Sequence, residues 1–82
     1  MNAVDALTTV NTALQKVKND PNIAVSMDTD MLHDKILDSL DCLMLLMELD
    51  ELCGFSVPED IDLVAGGYFK VDKLISLLAD KE

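Results

Sequence analysis

Hydrophobic positions in the first part of the chain recur at helical spacing. Val4, Leu7, Val10, Leu14 and Val17 follow one another at steps of three, three, four and three. That spacing predicts a helix over 3–18 with one apolar stripe. Asp5 near its start and Lys16 and Lys18 near its end suit the helix dipole. Asn19-Asp20-Pro21-Asn22 reads as its stop. Residues 19–37 show no sustained period and read as a long connection, with Met31, Leu32, Ile36 and Leu37 as its anchors and a short helical turn around 30–34.

The clearest helix runs over 39–53. Cys42, Leu45, Leu46, Leu49 and Cys53 form its inner stripe, and Asp41, Met44, Glu48 and Glu51 predict an acidic outer face interrupted by methionines. Leu43 and Met47 fall between the two. Asp38 or Ser39 is the N-cap, because either side-chain oxygen can accept a free first-turn amide. Gly54 ends the helix. Val57-Pro58-Glu59-Asp60 predicts a short third helix through Val64, broken by Gly66-Gly67. Val71, Leu74, Ile75 and Leu78 give a last amphipathic helix over 70–80. The expected architecture is all-α: a four-helix bundle with a long first loop and a short third helix, in one domain over 1–82.

Composition agrees with packed helices. Half of the 82 residues are hydrophobic but only three are aromatic, so an aliphatic core is expected. Charge narrows the partners. Sixteen acidic against six basic residues give a net charge of −10, which disfavours nucleic acid and anionic membrane surfaces and favours a basic patch on another protein. No run approaches the roughly 20 apolar residues of a membrane span. The first residues lack the basic-then-apolar pattern of a signal peptide. A reduced, cytoplasmic monomer is expected. Cys42 and Cys53 would lie about 16 Å apart on one helix, too far for a disulfide. They read as small buried hydrophobes.

Ser39 is the one position where chemistry gathers. A serine hydrolase needs a base and an orienting acid, and the sequence has a single histidine, His33, and no Gly-x-Ser-x-Gly turn. No catalytic residue is assigned, and His33 reads as a solvated loop residue or a cap. Asp28-Thr29-Asp30 begins like a calcium loop. The pattern then places Leu32 at its fifth position, His33 at its sixth and Ser39 at its twelfth, so no metal site is assigned. A hydroxyl at a helix start suits a phosphate through the dipole and free amides. Asp38 and Asp41 oppose it electrostatically. As a plain cap, Ser39 would contribute about 1 kcal/mol.

The run Leu37-Asp38-Ser39-Leu40-Asp41, the apolar-acidic helix after it and Val57-Pro58-Glu59 resemble the acyl carrier protein family, over about residues 4–78. The resemblance implies a non-enzymatic carrier that holds acyl intermediates as thioesters on a 4′-phosphopantetheine arm. Ser39 would carry the arm, attached from coenzyme A by a phosphopantetheinyl transferase, with Asp38 helping that enzyme to place its metal and coenzyme A. Leu40, Asp41, Leu43, Met44, Met47, Asp50 and Glu51 would meet partner enzymes of fatty-acid, polyketide or related biosynthesis. Leu45, Leu46 and Leu49 would line the core, beside which acyl-sheltering members fold their cargo.

Several positions depart from the family. Lys35 and Ile36 stand where a glycine usually precedes the Asp-Ser pair, Met44 stands for a glutamate, and Cys53 for an aromatic residue. The 59–70 segment, with Gly66-Gly67-Tyr68, is a few residues longer. Ile36-Leu37-Asp38-Ser39 is also similar to D-alanyl carrier proteins, so an aminoacyl carrier is the first alternative. A small acidic helical adaptor without a prosthetic group is the second.

Overall fold

The computed structural model describes residues 2–57 and 60–79. It contains three helices: α1 (Ala3–Lys18), α2 (Ser39–Cys53) and α3 (Val71–Ala79). α1 packs against both of the others, so it is the central element. Asn2 caps α1 by accepting the Asp5 N–H at 2.8 Å. Asn19 ends it in a left-handed conformation, φ 53°, with its own N–H donated back to Gln15 and Lys16 carbonyls.

The buried face of α1 is Ala6, Val10, Ala13 and Leu14, with Leu7 and Val17 half-buried. Val4, expected in the stripe, is 75% exposed. At about 100° per residue, Val4 points well away from the line through Val10 and Ala13. The two alanines take the inner position instead, where small side chains suit a helix with neighbours on two sides.

α2 and α3 follow the expected periods. Cys42, Leu45 and Leu49 are buried on α2, with Leu46 and Cys53 half-buried; Val71, Leu74, Ile75 and Leu78 are buried on α3. The core is not wholly aliphatic, since Phe55 and Phe69 are buried with it.

The long connection is tied down at several points. Asn11 grips Val25 by both backbone groups: the Val25 N–H donates to Asn11 Oδ1 at 2.7 Å, and Asn11 Nδ2 donates to the Val25 carbonyl at 3.3 Å. Gln15 Nε2 donates to the Ile23 carbonyl at 3.1 Å. A single antiparallel bridge joins Asp30 to Lys70, with Met31 N–H to the Phe69 carbonyl at 2.9 Å and Val71 N–H to the Thr29 carbonyl at 2.8 Å. Met31 and Leu37 are buried as expected, and Leu32 and Ile36 are half-buried. The expected turn is present: Asp30 Oδ1 accepts the N–H groups of Leu32 and His33, and the Asp34 N–H donates to the Asp30 carbonyl.

The turn closes on Lys35, which has φ 61°. The left-handed region is costly for a residue with a Cβ, by roughly 1–2 kcal/mol. Glycine relieves that cost but loses more backbone entropy on folding. Lys35→Gly is therefore expected to be stabilising by about 0.5 kcal/mol, a rise of about 2–4 °C in Tm. A thermal melt followed by circular dichroism checks it; a fall in Tm contradicts the strain at this position.

The expected short third helix is not found among the described residues. Residues 63–69 form successive turns, while Pro58 and Glu59 lie outside the described residues. Asp62 Oδ1 accepts the Val64 and Ala65 N–H groups, and the Gly66 N–H returns to the Asp62 carbonyl, giving one helical turn that goes no further. Two features stop it. Gly67 is left-handed at φ 71°, and a Cβ on Gly66 would sit 2.6 Å from the Tyr68 ring. The architecture shown is thus a small all-helical domain of three helices, with no strand longer than the isolated bridge among the described residues. None of the helices is long and apolar enough to cross a membrane.

Candidate functional site

The turn at Lys35 delivers the chain to the start of α2, where Asp38 is the N-cap. Its Oδ1 accepts the Asp41 N–H at 2.8 Å, and Asp41 Oδ2 accepts the Asp38 N–H at 3.5 Å, a reciprocal capping box. Of the two candidate caps, the carboxylate holds the position. Ser39 is the first helical residue and is exposed. Its hydroxyl has no hydrogen bond among the described residues, nor do the Ser39 and Leu40 amides beside it.

A depression of about 230 Å³ opens next to this serine. One wall is the face of α2 that carries Ser39, Cys42, Leu43 and Leu46; the other is Leu32, Asp62, Leu63, Val64 and Phe69. An apolar cavity of about 150 Å³ holds a benzene ring, so this space suits a short alkyl segment. A second depression of about 330 Å³ shares the Leu32, Leu63, Val64 and Phe69 wall and ends at Asp30 and His33. His33 is exposed on that second depression and is not part of the lining beside Ser39. No group of three or more His, Cys, Asp or Glu side chains that could hold a metal is found among the described residues.

The outer face of α2 is apolar at its N-terminal half rather than acidic as expected, because Asp41 and Glu48 turn toward Lys18 and Lys16 of α1. Leu40, Leu43 and Met47 are 65%, 61% and 69% exposed, and Met44 is exposed beside them. Asp50 and Glu51 continue the same face toward the helix C-terminus and are also exposed. A notch lined by Leu43, Met47, Asp50, Phe55 and Val57 extends it past Gly54. Leu52 and Val57 are exposed as well, and sequence reasoning misses them because an isolated apolar residue carries no signal of exposure.

Asp41 is placed differently from the other acids. It is half-buried, and its Oδ2 is 2.9 Å from Lys18 Nζ at the end of α1. The Lys18 hydrogen bond, helped by the Asp38 amide, holds the Asp41 carboxyl below the usual carboxylate range against the opposing effect of burial. Asp41 is therefore engaged within the fold. In the sequence Lys18 carries only a dipole signal; nothing there points to a partner 23 residues away. A second, looser pair, Lys16 with Glu48 at 3.9 Å, also spans α1 and α2.

Both cysteines are free thiols. Burial, with the charges of Asp38 and Asp41 adding to it, pushes the Cys42 thiol up. Cys53 is only half-buried. Alkylation by iodoacetamide on the native protein is expected at Cys53 first, since the reactive species is an accessible thiolate. Peptide mapping that finds Cys42 labelled first would contradict the burial described for α2.

Comparisons of the chain with protein-family models, with curated proteins and with solved structures give no match.

Proposed function

We propose that this chain is a carrier protein that bears a 4′-phosphopantetheine arm on Ser39 and presents an acyl thioester to partner enzymes. One observation carries the reading. Ser39 is not needed as a cap, because Asp38 has that role, yet a free, exposed hydroxyl stands at the rim of an apolar depression. The surroundings fit the group: two unpaired amides at the helix start suit a phosphodiester. When bound, the arm supplies a thiol for a thioester and raises the effective concentration of its cargo at each enzyme site. On this reading the turns over 63–69 stand where the four-helix carrier has its short third helix, and Asp38 assists the transferase.

Attachment is a phosphoryl transfer from coenzyme A. The Ser39 Oγ–P bond forms, a bridging P–O bond of the pyrophosphate breaks, the nucleotide leaves, and the serine proton passes to a base on the transferase. Ser39 provides the nucleophilic oxygen and α2 holds it at a fixed point. The mostly aliphatic and aromatic lining of the depression suits an alkyl cargo, with Asp62 the one carboxylate among the lining residues.

Asp50 and Glu51 would steer docking onto a basic patch while Leu40, Leu43, Met44 and Met47 make the contact. Docking is expected to weaken as salt rises from about 0.1 M to about 1 M, where the screening length falls from about 10 to about 3 Å. Affinities for a partner enzyme across that range check this, and a flat profile contradicts electrostatic steering. The reading itself is tested by incubating the protein with coenzyme A and a transferase of broad specificity. The expected product is heavier by one phosphopantetheinyl group and has gained a thiol; an unchanged mass contradicts it.

A further inference from the structure

A phosphoryl group that reaches Ser39 meets two carboxylates, Asp38 directly before it and Asp41 two residues after. Two unpaired negative charges at this distance oppose an anionic reactant and an anionic product alike. The fold answers one of them. Lys18 Nζ is 2.9 Å from Asp41 Oδ2, and the same oxygen accepts the Asp38 N–H at 3.5 Å. Asp41 in turn donates its N–H to Asp38 Oδ1 at 2.8 Å. Lys18, Asp41 and Asp38 are thus one network, and Ser39 follows directly on its last member. Among the described residues Lys18 is the only cation paired with either carboxylate. Its helix packs against α2, so the ammonium comes from a separate, central element.

We propose that Lys18 is a positioning residue for Ser39: by neutralising Asp41 and bracing the Asp38 cap, it makes the serine able to receive an anionic phosphoryl group. This rests on the reading of Ser39 as an attachment site, and it adds a residue on a different helix. Lys18 touches no reacting atom. Its effect is routed through Asp41, and that route makes it testable.

The experiment measures kcat/KM for transfer from coenzyme A onto the wild-type chain, Lys18→Met, Lys18→Arg, Asp41→Asn and the double variant Lys18→Met/Asp41→Asn. Lys18→Met leaves the Asp41 charge unopposed, and a fall of about tenfold is expected. Lys18→Arg keeps the charge and should stay within about twofold of wild type. The double variant also lacks the ion pair, but its side-chain amide carbonyl still accepts the Asp38 N–H and the stray charge is gone. It should stay within about twofold of Asp41→Asn alone, so that the Lys18 change costs about tenfold only while the Asp41 charge is present, a non-additive result. Thermal melts on each variant establish that all are folded at the assay temperature. If Lys18→Met is modified as fast as wild type, or if it slows the Asp41→Asn chain as much as it slows the wild type, the proposal is overturned. A wild-type chain that takes up no phosphopantetheine overturns the attachment reading itself, which is a distinguishable outcome.

Discussion

Ser39→Ala is expected to fold like the wild type and to take up no phosphopantetheine at all. The two halves of that result come from different parts of the structure. Retention of the fold follows from the capping box, which uses Asp38 and Asp41 and leaves the serine hydroxyl without a partner. Alanine is a better helix former than serine at an exposed helical position, so the change in stability should stay within about 0.5 kcal/mol. Asp38→Ala, which removes the cap, should cost about 1 kcal/mol. Complete loss of modification follows because no other oxygen can replace Oγ at that place. Melting curves and intact masses on the two variants separate the roles. A Ser39→Ala chain destabilised as much as Asp38→Ala would mean that the serine is a structural residue after all.

Leu14→Ala should be the most damaging single truncation on α1. Leu14 is fully buried on the central helix, which packs against both α2 and α3. Removing a buried leucine side chain loses its transfer free energy and leaves a cavity, together about 2–5 kcal/mol. A domain of this length has total stability toward the low end of about 5–15 kcal/mol. The midpoint of thermal unfolding should fall by about 10–30 °C, to the point where a sizeable fraction is unfolded near 37 °C. The same substitution at exposed Val4, which belongs to the same apolar period, should change Tm by no more than a few degrees. Equal losses at the two positions would contradict the face of α1 described above.

That contrast between Leu14 and Val4 also marks how far the sequence can be read. Period and glycine punctuation locate α2, α3 and the end at Gly54, because those signals are local. On α1 they hold for Leu7, Val10, Leu14 and Val17 but not for Val4, and spacing of large residues does not reveal that Ala6 and Ala13 lie innermost. The Val25 anchor depends on Asn11, fourteen residues away, and leaves no pattern in either segment. In place of the expected third helix the described residues hold only the turn that Asp62 closes on Val64, Ala65 and Gly66, and an acid followed by apolar residues reads the same in a turn as in a short helix. Lys35 holds the departure from the carrier pattern in plain view, but its left-handed backbone is not legible, since lysine favours the right-handed region. At the site, Ser39 can be found from the sequence. The helical period puts Asp41 and Glu48 on an acidic outer face of α2, whereas both are half-buried and paired with Lys18 and Lys16, and Leu40, Leu43 and Met47 are exposed. The choice of Asp38 as cap cannot be found there, nor can the tie from Lys18 to Asp41, which depends on how α1 and α2 pack.

The central claim is that Ser39 is an attachment point. Its most direct test is tandem mass spectrometry on peptides from the wild-type protein after incubation with coenzyme A and a transferase. A phosphopantetheinyl group localised to Ser39 is the expected result. An unmodified Ser39 peptide, or the group found on Ser26, Ser56 or Ser76 instead, would contradict it.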